Sequence, residues 1–156
     1  MSGEIEARLK ELGLTLPVAA SPVANYVPGV LAGDLLFISG QLARAADGTL
    51  VTGIVGANVS IETAQGAARL CALNILAQAR AALGSLDRVA QVVKITGFVA
   101  STPEFTSHPQ VVNGASDLMV EVLGDKGRHA RAAVGAPSLP MNSAVEVEAI
   151  FRVTSG

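Results

Sequence analysis

The sequence predicts an α+β domain, in which a mixed β-sheet carries two helices on one face. Apolar strand-like runs lie at both ends of the chain, and two helical segments with a strand between them fill the middle. This order, strands followed by helices and strands again, is typical of a sheet covered on one side. With 156 residues and no segment that reads as a linker, residues 1–156 are expected to form a single domain.

The N-terminal part predicts a helix and then a hairpin. Residues 3–12 have amphipathic spacing and stop at Gly13, so they are expected to form a short helix added before the sheet. Two apolar runs, 26–32 and 35–40, flank Gly33-Asp34. A Gly-Asp pair between such runs indicates a β-hairpin.

The clearest element is a helix over 61–83. Ser60 can cap its N-terminus and Gly84 suits its end. Many alanines on one side of this helix indicate close packing on a flat partner, which is expected to be the sheet. Cys71 falls in that stripe and is expected to be a core residue rather than a nucleophile.

The second half predicts a strand, a helix and two more strands. Residues 89–100 read as a strand. Thr102-Pro103-Glu104 has the pattern of a helix start, and Ser107 with Pro109 offers a second start. The helix is expected to run to Leu123. The last two strands are expected at 131–136 and 144–153.

Composition excludes several classes of function. The formal net charge is −2, with four Phe, one Tyr and no Trp, so nucleic-acid binding is not expected. One cysteine and two histidines give no metal-binding cluster. No apolar run approaches the roughly 20 residues that span a bilayer, and the start of the chain lacks signal-peptide order. A cytoplasmic protein is expected.

The last predicted strand has two different faces. One holds Val145 and Val147, while the other holds Glu146, Glu148 and Ile150. Because helices would cover only one face of the sheet, the open face is expected to be buried in an oligomer.

Arg131 and Glu146 are the first candidates for chemistry. Arg131 begins an apolar strand, where a guanidinium must find an anion or reach solvent. It could bind a substrate carboxylate or form a structural ion pair. Glu146 could act as a base in apolar surroundings, or pair with a basic group. Residue patterns alone leave both alternatives open.

Other candidate residues carry weaker signals. Ser39 ends a strand just before Gly40, which permits close approach of a ligand. Its hydroxyl could donate to a substrate or lie in a turn, but no nucleophile motif surrounds it. Tyr26 alone reads as a packing residue with its hydroxyl at the surface.

Asn113 lies inside the helix that is predicted to end at Leu123, and the two histidines lie in its region of the sequence. Asn113 interrupts an apolar pattern and is either a helix-end hydrogen bonder or a site residue. His108 and His129 lie in polar turns and are expected at the surface.

Taken together, these positions resemble the RidA family, also called YjgF/YER057c/UK114. The resemblance rests on ordered segments from about residue 18 to 153 rather than on any single motif. The main ones are Ala24-Asn25-Tyr26-Val27-Pro28-Gly29, Leu36-Phe37-Ile38-Ser39-Gly40-Gln41, Val112-Asn113, Ala130-Arg131-Ala132-Ala133-Val134, Leu139-Pro140 and Val145-Glu146-Val147-Glu148.

This resemblance implies a fold, an assembly and an activity. The fold is chorismate-mutase-like, of the bacillus type, and the assembly is a homotrimer with sites between subunits. Active members deaminate reactive 2-imino or enamine acids, such as 2-aminoacrylate, to 2-oxo acids and ammonia. No metal or organic cofactor is implied, and the partner is a small carboxylate substrate or ligand.

The resemblance also assigns roles. Arg131 would bind the substrate carboxylate, and Glu146 would hold or activate water. Tyr26 from the facing subunit, Ser39, Gly40, Asn113 and backbone groups near Ala133 would line the site.

The chain departs from the family beside the arginine. The usual Pro-Ala-Arg-Ser is His129-Ala130-Arg131-Ala132, and Ala133 replaces a common cysteine. A divergent branch is therefore expected. A non-catalytic, carboxylate-binding or regulatory trimer is the alternative function. Some members carry the name endoribonuclease L-PSP and are described as ribonucleases or translation inhibitors. That function is the least favoured of the three.

Overall fold

A computed structural model describes residues 3–22 and 24–156. Met1, Ser2 and Val23 lie outside the described part. The helices and strands follow the predicted order. The helices are α1 (Glu4–Glu11), α2 (Ile61–Leu83) and α3 (His108–Leu123), and the strands are β1 (Gly29–Ala32), β2 (Leu35–Leu42), β3 (Val89–Ala100), β4 (Ala130–Ala136) and β5 (Val145–Val153).

The strands form one mixed sheet in the order β1-β2-β5-β3-β4. β3 and β4 are parallel, and α3 connects them, whereas the other neighbouring pairs are antiparallel. Helices α2 and α3 pack on the same face of this sheet and on each other. The predicted α+β class, with two helices on one face, is confirmed.

The alanine-rich α2 packs directly on the sheet. Its bounds are those predicted: the Ser60 hydroxyl accepts a hydrogen bond from the Thr63 N–H at 3.1 Å, and Gly84 ends the helix at φ 81°. Cys71 is fully buried, with its sulfur 3.5 Å from the Val145 carbonyl oxygen. Burial raises the pKa of this thiol, as expected for an inert core cysteine.

Two predicted starts differ from the structure. The first strand begins at Gly29 rather than 26. α3 begins at His108, so the start at Thr102-Pro103-Glu104 was wrong and the second one, at Ser107 and Pro109, was right. The backbone before α3 is already engaged, because the Ser101 N–H donates to Ala136 and the Thr102 N–H donates to Val55. These bonds hold the segment at the end of the sheet, and the Phe105 N–H closes only a single turn on the Thr102 carbonyl oxygen at 3.2 Å, which does not continue as a helix.

The hairpin and the N-terminal helix are both present. Gly33 adopts φ 65° between β1 and β2, a left-handed value that favours glycine. α1 lies against the rest of the domain, and its Glu4 and Ile5 N–H groups donate to the Asp87 carboxylate. An acidic group at a helix N-terminus is stabilising.

The opposite face of the sheet carries exposed apolar side chains. Val30 and Phe37 pair across β1 and β2 and are 51% and 41% exposed, and Val134 on β4 is 43% exposed. An apolar sheet face of this kind is unusual for a monomer. None of the helices in the described residues is both long and apolar enough to span a membrane.

Candidate functional site

Glu146 and Gly40 lie together on the open face of the sheet. The pairing of β2 with β5 shifts between Ile38 and Gln41, which brings Gly40 under the Glu146 side chain. A Cβ atom on Gly40 would overlap Oε2 of Glu146. Glycine is therefore needed here for close approach of the Glu146 carboxylate, whereas the approach of a ligand that the sequence predicted for Gly40 stays a prediction.

The environment of Glu146 favours its neutral form. Burial raises the pKa of this carboxyl, and the negative charge of Glu148 raises it further. A carboxylate whose pKa is raised toward neutrality is a better proton acceptor than an ordinary glutamate. This supports the reading of Glu146 as a base.

Arg131 projects from β4 toward α3. Its Nη1 donates to Oδ1 of Asn113 at 2.8 Å and to the Ser116 hydroxyl at 3.2 Å. No carboxylate of the described residues lies within 4.0 Å of it. Two neutral partners hold one nitrogen, which leaves Nη2 and Nε free to bind an anion in a planar fork.

A chain of hydrogen bonds extends from Arg131 to His129. The Ser116 hydroxyl lies 2.9 Å from Nε2 of His129, whose Nδ1 lies 2.6 Å from the Gly127 carbonyl oxygen. Because a carbonyl only accepts, Nδ1 carries a proton, and neutral His129 accepts from Ser116 through Nε2. The Ser116 oxygen is thus left to accept from Arg131.

The histidines are not the surface residues that the sequence predicted. His129 is partly buried in this chain of bonds. His108 is also partly buried, with Nε2 3.1 Å from the Ser101 hydroxyl and its ring edge-on to Phe105. His108 is the first residue of α3, and His129 contacts that helix through Ser116. Their polar neighbours in sequence did not reveal these contacts.

Arg131 and Glu146 lie on opposite faces of the sheet within one chain. Arg131 pairs with Ile95 and Glu146 with Phe98. Residues an odd number apart on a strand point to opposite faces, and Ile95 is buried under the helices. The candidate residues therefore fall into two groups, which are called half-sites below. The Arg131 half-site comprises Arg131, its two hydrogen-bond partners Asn113 and Ser116, and Ala133. The Glu146 half-site comprises Glu146 and Gly40, with Ser39 and Tyr26 near Gly40.

Ala133 and Ser39 have defined places in these half-sites. Ala133 is on the same face of β4 as Arg131, opposite Gly97. The Ser39 hydroxyl donates to the Val27 carbonyl oxygen at 2.8 Å, beside Tyr26. Tyr26 is 54% exposed, consistent with a hydroxyl at the surface.

A cleft of about 200 Å³ adjoins the Glu146 half-site. Tyr26 and Gly40 line it together with Arg44, Asn74 and Gln78, three residues that the sequence analysis missed. Arg44 lies two residues after β2, the strand that contains Ser39-Gly40-Gln41, and this position in the sequence was the available signal. Ser116 was also missed, although it lies one helical turn after Asn113, on the same face of α3.

The described residues contain no group of three or more His, Cys, Asp or Glu side chains placed to hold a metal ion. The guanidinium of Arg131 could bind an organic anion, whereas the carboxyl of Glu146 could accept or donate a proton.

Comparison with known proteins places the fold in a family. Residues 6–152 match the family described as "YjgF/chorismate_mutase-like, putative endoribonuclease". The protein TCP17 of Trypanosoma cruzi is 48% identical over 155 residues, which covers 99% of this chain and 97% of that protein.

Solved structures agree. A protein of unknown function from Agrobacterium tumefaciens, Atu1372, has a TM-score of 0.90 at 56% identity and covers 96% of this chain and 92% of its own. RidA from an Antarctic Psychrobacter species has a TM-score of 0.61 at 29% identity, over 89% of this chain and 96% of its own. The lower score shows a greater structural difference from RidA, in line with the expected divergence. By its family match and these relatives, the chain belongs to the YjgF/chorismate-mutase-like family.

Proposed function

We propose that this protein is a deaminase that hydrolyses reactive 2-imino or enamine acids to 2-oxo acids and ammonia. The proposal rests mainly on the pair of half-sites. One has a guanidinium at Arg131 that is suited to binding an anion, and the other has a carboxyl of raised pKa at Glu146. Membership of the YjgF family and the likeness to RidA support this choice.

The site is complete only in an oligomer. Since Arg131 and Glu146 lie on opposite faces of one sheet, a second copy must bring its Arg131 half-site to the Glu146 half-site. The apolar open face, with Phe37 and Val134, offers a surface for this contact. A homotrimer, as in the RidA resemblance, satisfies both requirements with a closed arrangement.

The chemistry uses few groups. Arg131 binds the substrate carboxylate, and the Glu146 carboxylate accepts a proton from water as the water oxygen bonds to the imine carbon. The imine enters as its protonated iminium form, so the C=N double bond becomes single and leaves a neutral amine on the same carbon as the new hydroxyl group. Glu146 then passes its proton to that amine. The C–N bond breaks and ammonia leaves as the C=O bond forms, while the hydroxyl proton returns to the Glu146 carboxylate and from there to solvent. Holding water and imine together supplies much of the acceleration.

The direct test generates imines with an amino-acid oxidase and traps them with semicarbazide. Added protein should lower semicarbazone formation by consuming the imine first, and Arg131→Gln should not. Arg128→Gln is the matched control, because the Arg128 side chain is 71% exposed, pairs with Asp125 and belongs to neither half-site. Failure of the wild-type protein on every imine tested would overturn the proposal.

Mixed oligomers test whether the site spans subunits. Arg131→Gln and Glu146→Gln would each be inactive alone. When both are co-expressed in equal amounts, about a quarter of the sites in random closed trimers would recover both wild-type groups from different subunits. No recovery in mixed trimers of confirmed composition would contradict a shared site.

A non-catalytic, carboxylate-binding trimer is the second candidate. It is favoured by Ser39, whose hydroxyl proton is already donated to the Val27 carbonyl and is therefore not available to an imine nitrogen. In that case 2-oxo acids would raise the melting temperature of the protein without any imine turnover.

A further inference from the structure

The cleft beside the Glu146 half-site contains a cation that the proposed reaction does not use. Arg44 follows β2 and is partly buried in the wall of this cleft. Its Nη1 donates to the Gly48 carbonyl oxygen at 2.9 Å, and its Nη2 lies 3.6 Å from the sulfur of Met141. No carboxylate of residues 3–22 and 24–156 lies within 4.0 Å of the guanidinium.

Arg44 thus has hydrogen-bonding capacity left over. A guanidinium has five N–H donors, and here one strong bond to a neutral carbonyl and one weak contact with sulfur engage only two of them. A partly buried cation with neutral partners is stabilised by an anion that reaches it. The remaining N–H groups suit a carboxylate, which accepts two parallel bonds.

The rest of the cleft is fixed and carries no competing charge. The Asn74 amide donates to the carbonyl oxygens of Leu42 and Arg44, and the Gln78 amide donates to that of Ala20 at 2.8 Å. These bonds hold the backbone that presents Arg44. The other side chains are apolar or neutral and would contact the carbon skeleton of a ligand. They are Ala20, Ser21, Pro22, Tyr26, Pro28, Gln41, Leu42 and Met141.

The backbone at Met141 adds an independent sign of a functional site. Met141 and Asn142 have φ values of 55° and 62°, a left-handed conformation that methionine rarely adopts. Such strain is held in place by the surrounding structure and concentrates at binding sites. Here it brings the Met141 side chain to the guanidinium of Arg44.

We propose that Arg44 binds a second carboxylate, so that the substrate class is the 2-imino dicarboxylic acids. This inference rests on the proposed function. Tyr26 and Gly40 belong both to the cleft and to the Glu146 half-site, so a substrate whose imine carbon lies at Glu146 can extend its side chain into the cleft. Arg131 of the neighbouring subunit would hold the first carboxylate, and Arg44 the second.

The test compares imines made enzymatically from aspartate and glutamate with imines from leucine and methionine. The wild-type protein should have the higher kcat/KM on the dicarboxylic imines. Arg44→Met should lower kcat/KM on those by about 10- to 100-fold, the value of a lost charge-assisted pair, and change the others little. Arg128→Met is the control for removal of a positive charge.

An unchanged preference in Arg44→Met, or a wild-type preference for leucine-derived imines, would overturn the substrate inference and leave the deaminase proposal standing. Binding gives a readout that needs no turnover. In calorimetry, 2-oxoglutarate should bind the wild-type protein more tightly than 2-oxobutanoate, and Arg44→Met should remove the difference. Equal affinities in both proteins would refute the role of Arg44 even if no imine were consumed. Circular dichroism of each variant checks that it is folded.

Discussion

The Glu146 carboxylate occupies the space into which a side chain on Gly40 would project. The shifted pairing of β2 with β5 creates this contact. One carboxylate is thereby held over backbone that carries no side chain at Gly40.

Gly40→Ala should therefore separate activity from stability. The methyl group would push the flexible Glu146 side chain aside, with a stability loss of about 1 kcal/mol or less. Activity should fall about 100-fold, because the base no longer meets its water. Gly66→Ala, at an open position in α2, is the control. It should keep full activity and unfold at equal or higher urea concentration.

Glu146→Gln should stabilise the protein at neutral pH. The pKa of Glu146 is raised in the folded state above its ordinary value of 4.5, so ionisation opposes folding. The fold keeps its full stability at this site while Glu146 is protonated, below the ordinary pKa. That stability is lost as the pH rises through the pKa of Glu146 in the folded state. Urea unfolding at several pH values should show the variant gaining on the wild-type protein above pH 4.5. If the difference in unfolding free energy between the variant and the wild-type protein were the same at pH 4 and pH 7, the raised pKa would be contradicted.

The same carboxyl sets the pH dependence of activity. If ionised Glu146 accepts the proton of water, kcat/KM should rise with pH, with its midpoint above 4.5. Glu146→Asp should keep a rising profile at a lower rate, whereas Glu146→Gln should have no activity to titrate.

Arg131→Lys tests the planar fork rather than the charge. A lysine ammonium cannot make two parallel hydrogen bonds to a carboxylate. It also cannot reproduce the position in which Asn113 and Ser116 hold the guanidinium. The affinity for 2-oxo acids should fall about 10- to 100-fold. Calorimetry measures this loss. Wild-type affinity in Arg131→Lys would show that only the charge matters.

Ser116→Ala should loosen Arg131 without removing it. The hydroxyl joins His129 to Arg131, and its loss leaves Asn113 as the one side chain of residues 3–22 and 24–156 that is hydrogen-bonded to that guanidinium. We expect KM to rise about tenfold with kcat little changed, since one hydrogen bond from the charged guanidinium to a neutral hydroxyl is lost. Asp117→Ala, at the next and exposed position of α3, is the control.

Local signals in the sequence were enough for most of the fold. The bounds of α2 follow from Ser60 and Gly84, which act on the helix ends within a few residues. The start of α3 did not follow, because Ser101 and Thr102 are held by bonds to Ala136 and Val55, far along the chain. A Pro at a helix-like position cannot reveal such pairings.

The site was predicted residue by residue but not in its arrangement. Arg131, Glu146, Gly40 and Asn113 were all named, yet their separation on two faces depends on the register of β3 against both β4 and β5. Register between strands distant in sequence is set by the whole packed sheet. For the same reason the sequence did not predict the hydrogen bonds that link His129 through Ser116 to Arg131, because they depend on how β4 lies beside α3.

Cys71 offers a built-in reporter for motion of the domain. Its sulfur lies between α2 and β5 with no exposed surface. A thiol reagent can reach it only when the helix layer lifts from the sheet, so the labelling rate counts those openings. A ligand that binds the folded state should slow the labelling of Cys71 in proportion to its occupancy. The labelling rate of this buried sulfur therefore reports binding at a site that Cys71 does not contact.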